Sequence, residues 1–275
     1  MTTNPGRWRS VLFLPASNPR AIAKLTTLAC DAAILDLEDA VAPDAKADAR
    51  AAATAAVLAG ARAAIRINAL DTPWGLDDAA AARGALAVVL PKVGGAADLA
   101  AARDAIGDDG PPIWAMIETC DAMLRLAEIV DVAPAVRCTM LIAGTNDLAK
   151  EMRCRPGADR MPLVPALTQM VMAARAADLF VLDGVCNAIG DEARLAAECA
   201  QGAMLGFDGK TLIHPSQIDA ANAAFAPDPD RIAWARRVVD AFAAPEAVGK
   251  GAIRLDGAMV ERLHLAEAER VLAML

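Results

Sequence analysis

Tyrosine is absent from this chain, and histidine occurs only twice in 275 residues. With so little imidazole and no phenol, its chemistry has to rest on carboxylates, lysine and arginine. No run of 18 apolar residues occurs, so no transmembrane helix is expected. The N-terminal MTTNPGRWRS lacks the apolar centre of a signal peptide. A basic cluster is also missing, and the formal net charge is −8, which argues against nucleic acid and anionic membranes as partners. A phosphate-bearing ligand stays open, because it needs only a local basic group. Cys30, Cys120, Cys138, Cys154, Cys186 and Cys199 form no C-x-x-C pair, and the chain is too long to depend on a disulfide scaffold. Buried, reduced thiols in a cytoplasmic protein are the expectation. The glycine-rich first turn of a dinucleotide-binding fold is missing; the first turn reads FLPASNPR. FDGKT (207–211) resembles the end of a P-loop, but Met204 stands where its first glycine is required.

Apolar residues are plentiful, at 56 % of the chain, enough for a large core. They recur as eight short runs: 10–15, 32–38, 63–68, 86–92, 113–118, 138–144, 179–184 and 203–209. Ala-rich stretches with helical spacing lie between them, at 18–30, 44–59, 75–83, 95–106, 119–130, 163–177 and 190–201. A short strand alternating with a helix indicates parallel sheet built from βαβ units. Eight such units predict a closed (β/α)₈ TIM barrel over residues 1–214, with an open doubly wound sheet as the structural alternative. Residues 215–275 read as a closing helix and a C-terminal helical extension: helices at 215–224, 229–243 and 258–274, with 249–257 loop-like. PDPDR supplies a break and a helix start. The extension is expected to serve as a lid or a subunit contact.

In such barrels the active site gathers at the C-terminal ends of the strands. Those ends carry Ser17 and Arg20, then Asp36, Glu38 and Asp39, then Arg66 and Asn68, Lys92, Glu118, Asn146 and Asp147, Asp183, and finally Lys210 and His214. Carboxylates inside the apolar run AILDLEDAV would be costly in a dry core, and a shared polar mouth accounts for them. Arg66 and Glu118 end strongly apolar runs before any turn signal, which favours a functional reading. Glu118 and Asp147 are one βα repeat apart, so they emerge from adjacent strands about 4.8 Å apart. Carboxylates that close repel unless a proton or cation intervenes, and for oxygen ligands the cation is Mg²⁺, or Mn²⁺. Two solvated loop acids explain the same spacing equally well. Arg20 and Lys24 could hold phosphates or be ordinary solvated charges. His214 reads as a helix cap or an orienting group, and His264 as structural. Asp44, Lys46, Asp48 and Arg50 read as an exposed helix start.

Taken together, RSVLFLPASNPR, AILDLEDAVAPDAKADAR, IRIN, LPKV, IWAMIET, AGTNDLA, GFDGKTLIHPSQI and GKGAIRLDGAMV resemble, in order, the citrate lyase beta subunit and the malyl-CoA and citramalyl-CoA lyases. The resemblance spans about residues 9–275. It implies a (β/α)₈ barrel with a C-terminal extension, assembled as trimers or hexamers. It implies that Glu118 and Asp147 bind Mg²⁺ and that Glu118 lies against the substrate. Arg66 would hold a substrate oxygen, with Glu38 and Asp39 fixing Arg66 and metal-bound water. Arg20 and Lys24 would lie near the coenzyme A phosphates, with Lys92 a further substrate contact. The implied reaction is a retro-Claisen cleavage of malyl-CoA or citramalyl-CoA to acetyl-CoA and a 2-oxo acid. Thioester hydrolysis of (3S)-malyl-CoA and citryl-thioester cleavage are the alternatives. One departure matters: where many relatives have an M-I-D-x-P segment whose Asp reaches a neighbouring subunit's site, this chain reads MVERLHL. Glu261 takes the Asp position, either in the same role or as a salt-bridge partner.

Overall fold

A computed structural model describes residues 7–275; all but the last four residues of the MTTNPGRWRS stretch lie outside it. Eight parallel strands close into a barrel in sequence order: β1 (Ser10–Pro15), β2 (Ala32–Asp36), β3 (Ala63–Arg66), β4 (Val88–Leu90), β5 (Ile113–Ile117), β6 (Cys138–Ala143), β7 (Phe180–Asp183) and β8 (Gly209–Leu212). The open-sheet alternative is thereby excluded. Among the described residues no helix is long and apolar enough to cross a membrane.

Side chains alternate across each strand. Val11, Ile34, Ala64, Val89, Trp114, Met116, Met140, Ile142 and Leu182 pack together inside the barrel. Leu12, Leu14, Ala33, Leu35, Ile65, Val88, Ala115, Leu141 and Val181 belong to a second apolar cluster shared with the helices. This parity decides where each polar residue at a strand end points. Asp36 continues the inward series of Ala32 and Ile34, and Arg66 continues that of Ala64. Their Cα positions are partners across the β2–β3 ladder. Glu118 continues Trp114 and Met116.

Several expected boundaries are corrected. The run 203–209 is not a strand: residues through Leu205 finish the helix Glu192–Leu205, Gly206 caps it in a left-handed conformation, and β8 starts at Gly209. The strand there is GKTL, with two polar residues among its four, so apolar content alone points one segment too early. The stretch 119–130 divides at Arg125 into Cys120–Leu124 and a second helix, Leu126–Val132. Only Pro19–Ala23 of 18–30 is α-helical.

The chain divides into two compact units, the larger being Trp8–Phe225. The barrel unit therefore runs beyond residue 214. Helix Ile218–Ala224 belongs to it, tied by Ser10 Oγ donating to Asn222 Oδ1 at 2.7 Å and Asn222 Nδ2 donating to the Ala29 carbonyl at 2.9 Å. In the smaller unit, Asp228 caps helix Pro229–Ala243 by accepting from the Arg231 amide at 2.8 Å, as PDPDR implies. The loop expected at 249–257 is in part a strand, β9 (Ala252–Leu255), paired antiparallel with β10 (Ala258–Glu261). The final helix consequently starts at Arg262. Val238, Phe242, Val260 and Val271 form this unit's own core.

Candidate active site

Strand parity collects an arginine and several acids at the C-terminal mouth of the barrel. Arg66 Nε and Nη2 donate to the two oxygens of Asp36 at 2.7 and 2.6 Å. The remaining capacity of Asp36 is taken by the main-chain amides of Glu38 (2.9 Å) and Ala40 (3.1 Å), so one buried carboxylate fixes both the guanidinium and the loop after β2. Arg66 Nη1 lies 3.0 Å from Glu38 Oε2 and 3.8 Å from Asp39. Phe13 covers the guanidinium at 5.0 Å. Burial by itself would weaken the Arg66 charge, but Asp36, Glu38 and Asp39 outweigh it and raise the pKa further, so the charge is permanent. The resemblance implies Glu38 and Asp39 as the supports of Arg66, and both lie within 3.8 Å of it. Asp36 is the principal partner, and its alternation with Ala32 and Ile34 was the available signal.

The second half of the site is built around Glu118. Gly144 donates its amide to the Ile117 carbonyl at 3.0 Å and lies beside the Glu118 side chain. A Cβ at Gly144 would stand 2.3 Å from Glu118 Cβ and 2.5 Å from Oε2, so only glycine leaves room for this carboxylate. The Glu118 carboxyl is pushed up to about 7, chiefly by burial and also by Glu38 and Asp147, against the opposing pull of the Lys92 amide and Arg66. Asp147 lies in the first turn of helix Thr145–Glu151, half-buried. Both acids line one cavity of about 450 Å³, together with Phe13, Asp36, Asp39, Arg66, Met116 and Thr211.

Lys92 joins the two halves. Its Nζ donates to Glu38 Oε1 at 2.8 Å, and its main-chain amide donates to Glu118 Oε1 at 2.7 Å. Its φ is +51°, a left-handed conformation that costs a non-glycine residue roughly 1–2 kcal/mol. Burial also raises the Glu38 carboxyl, against the pull of Arg66 and Lys92.

The mouth therefore holds five carboxylates (Asp36, Glu38, Asp39, Glu118 and Asp147) against two cations, Arg66 and Lys92. That surplus of negative charge suits a hard divalent cation. Among the described residues no group of three or more His, Cys, Asp or Glu forms a metal cluster. Two carboxylates opening on a cavity fit Mg²⁺, which keeps several waters, and not a closed zinc-type cage.

Other expected residues are distributed differently. Arg20 and Lys24 line a separate recess of about 340 Å³ beside β1, which shares Phe13, Pro15 and Ile213 with the main cavity. Asp183 and Lys210 do not belong to the mouth. They are Cα partners on β7 and β8, at positions of outward parity, and both are fully buried. Lys46 and Arg50 are not an exposed helix start either. Lys46 is buried, donating to the Leu37 and Glu38 carbonyls and to Asn68 Oδ1 at 2.7–3.0 Å, and Arg50 pairs with buried Asp78 at 2.6 Å. Thus Lys46 anchors the loop that presents Glu38. His214 caps the next turn by accepting from the Ser216 amide at 3.2 Å. Glu261 closes β10 in the smaller unit, where its amide donates to His264 Nδ1 at 2.9 Å.

A closed parallel barrel with a carboxylate-rich, arginine-bearing mouth defines an enzyme of the TIM-barrel class. The chain belongs to the HpcH/HpaI aldolase/citrate lyase family, whose profile matches residues 9–215. It is 47 % identical over 272 residues to a (3S)-malyl-CoA thioesterase of Cereibacter sphaeroides, covering 97 % of this chain and 94 % of that one. The citrate lyase subunit beta of Escherichia coli is 32 % identical, with 96 % and 92 % covered. Among solved structures, CitE of Mycobacterium tuberculosis in complex with magnesium, acetoacetate and coenzyme A superposes with a TM-score of 0.79 at 31 % identity, covering 99 % of both chains.

Proposed function

We propose that this chain is a Mg²⁺-dependent enzyme acting on a 3-carboxy-3-hydroxyacyl-CoA, with (3S)-malyl-CoA as substrate and thioester hydrolysis as the outcome. The surplus of carboxylates facing the cavity carries the metal part of this reading. The thioesterase part is supported by the relative that is 47 % identical across nearly the whole chain. Glu118 and Asp147 would hold the ion, with open positions for water and substrate. When bound, Mg²⁺ supplies Lewis acidity to substrate oxygens. Arg66, clamped by Asp36, offers a fixed positive charge to a carboxylate or a developing oxyanion. Met116, Phe13 and Thr211 line the cavity and would wall in the short acyl group. Arg20 and Lys24, in the adjoining recess, are assigned to the coenzyme A phosphates.

Hydrolysis adds water to the thioester carbon, breaks the carbon–sulfur bond and returns a proton to the thiol. Glu261, supplied by a neighbouring copy in a trimer or hexamer, is assigned to activate that water. The second reading is carbon–carbon cleavage, favoured by the relatedness to citrate lyase beta subunits. There the hydroxyl proton leaves, the bond to the methylene carbon breaks with its electron pair passing to the thioester enolate, and protonation of that carbon gives acetyl-CoA beside glyoxylate.

Product analysis with (3S)-malyl-CoA and Mg²⁺ tests this directly. Free CoA and malate in equal amounts, with no 2-oxo acid, are expected. Acetyl-CoA plus glyoxylate would replace hydrolysis by the second reading, and no turnover would overturn both.

A further inference from the structure

We propose that Lys92 is a positioning residue whose main chain aims the metal-binding carboxylate, while its ammonium holds Glu38, so that one residue locks the Arg66 half of the site to the Glu118 half. This inference rests on the metal reading of Glu118 and Asp147 given above.

The argument is geometric. β4 ends at Leu90, and Pro91 follows. At Lys92 the backbone turns left-handed, with φ at +51°. In that conformation its amide reaches Glu118 Oε1 on the next strand, at 2.7 Å. From the same residue the side chain runs back to Glu38 Oε1 at 2.8 Å. Glu38 in turn pairs with Arg66 at 3.0 Å. Glycine would adopt this backbone without strain, but it has no ammonium for Glu38. φ sets the angle between the amide and the side chain, so an extended lysine with its amide held on Glu118 would swing its ammonium away from Glu38, and one with its ammonium held on Glu38 would turn its amide from Glu118. Only a lysine held left-handed makes both contacts, which is a physical reason for strain at this point. Glu118 is also confined from the opposite side by Gly144, so the amide fixes a carboxylate that already has little freedom.

The two roles separate by substitution. Lys92→Gly and Lys92→Asn both lose the ammonium, but both residues accept a left-handed backbone. Lys92→Val loses the ammonium and also resists that backbone, because it is β-branched. Mn²⁺ binding to the purified protein, followed by electron paramagnetic resonance without substrate, reads the metal half alone. Lys92→Gly and Lys92→Asn should keep Mn²⁺ affinity within about twofold of the unaltered protein, whereas Lys92→Val should lose about tenfold or more. Should Lys92→Val fail to fold by circular dichroism, Lys92→Ala against Lys92→Gly makes the same comparison, with an expected gap of about threefold. Equal affinity in the variants of either comparison overturns the main-chain role. Loss of affinity in Lys92→Gly as large as in Lys92→Val also overturns it, since the ammonium would then be what matters. No Mn²⁺ binding by the unaltered protein overturns the metal reading itself, and this inference with it.

Discussion

Two clusters of charged side chains are built from the same residue types, one at the C-terminal mouth of the barrel and one between the strands and their covering helix. The first is the mouth, with Asp36, Glu38, Arg66, Lys92, Glu118 and Asp147. The second lies between β7, β8 and the helix Glu192–Leu205. There Arg160 donates to both oxygens of Asp183 at 2.8 and 2.9 Å, Lys210 meets Asp183 at 2.9 Å and Glu198 at 3.4 Å, and Arg194 reaches Glu198 at 3.1 Å. In the second cluster two acids face three bases, and its two central charges, Asp183 and Lys210, are wholly buried. In the mouth, acids outnumber bases and the surplus faces a cavity. In one cluster every acid is paired with bases of the cluster itself, which leaves no carboxylate for a cation. The other carries a charge imbalance that a cation would relieve.

The comparison breaks first at Glu118. Glu118→Gln should lower Mg²⁺-dependent turnover on the order of a thousandfold, while the melting temperature measured without metal is unchanged or higher. A variant that keeps full activity would remove the contrast between the clusters. Lys210→Met makes the opposite test. It leaves Asp183 and Glu198 short of a buried positive partner, so it should destabilise the fold by about 3–5 kcal/mol in denaturant melts. Activity of the fraction that remains folded should be nearly unaltered.

Arg66→Lys sharpens the comparison within the mouth. Lysine keeps the charge but cannot make the two parallel bonds to Asp36 while offering a third donor to substrate. kcat/KM should fall about a hundredfold with a much smaller change in Mn²⁺ affinity.

The smallest effect is one of pH. In the metal-free protein burial holds the Glu118 carboxyl at about 7, above its ordinary value of 4.5. The folded state therefore binds an extra proton between those values, and this group's contribution to stability declines as pH rises from 4.5 towards 7. Metal must displace the same proton. Titrations should show Mg²⁺ affinity falling by up to about tenfold per pH unit below 7 and levelling above it. In Glu118→Gln that slope should vanish.

The chain order of apolar runs and Ala-rich segments determined the eightfold alternation, and with it the barrel. Residue types at the run ends determined that Arg66, Glu118 and Asp147 belong to one mouth, because the strand ends of a closed barrel converge. Local chemistry likewise fixed the Asp228 cap and the His214 turn, since each depends on neighbours three or fewer residues away. β8 was misplaced because its four residues include two polar ones, and no apolar signal marked it. What only the tertiary structure decided is the partner of each charge. Asp183 and Lys210 ended apolar-looking segments just as Glu118 did, but the true start of β8 turns Lys210 outward to a partner already waiting on β7. Lys46 and Arg50 read as solvated because their partners, Asn68 and Asp78, lie more than twenty residues away in sequence. The left-handed turn at Lys92 and the space that Gly144 leaves for Glu118 depend on strands brought side by side. They follow from long-range packing, which a linear pattern of polar and apolar residues does not encode.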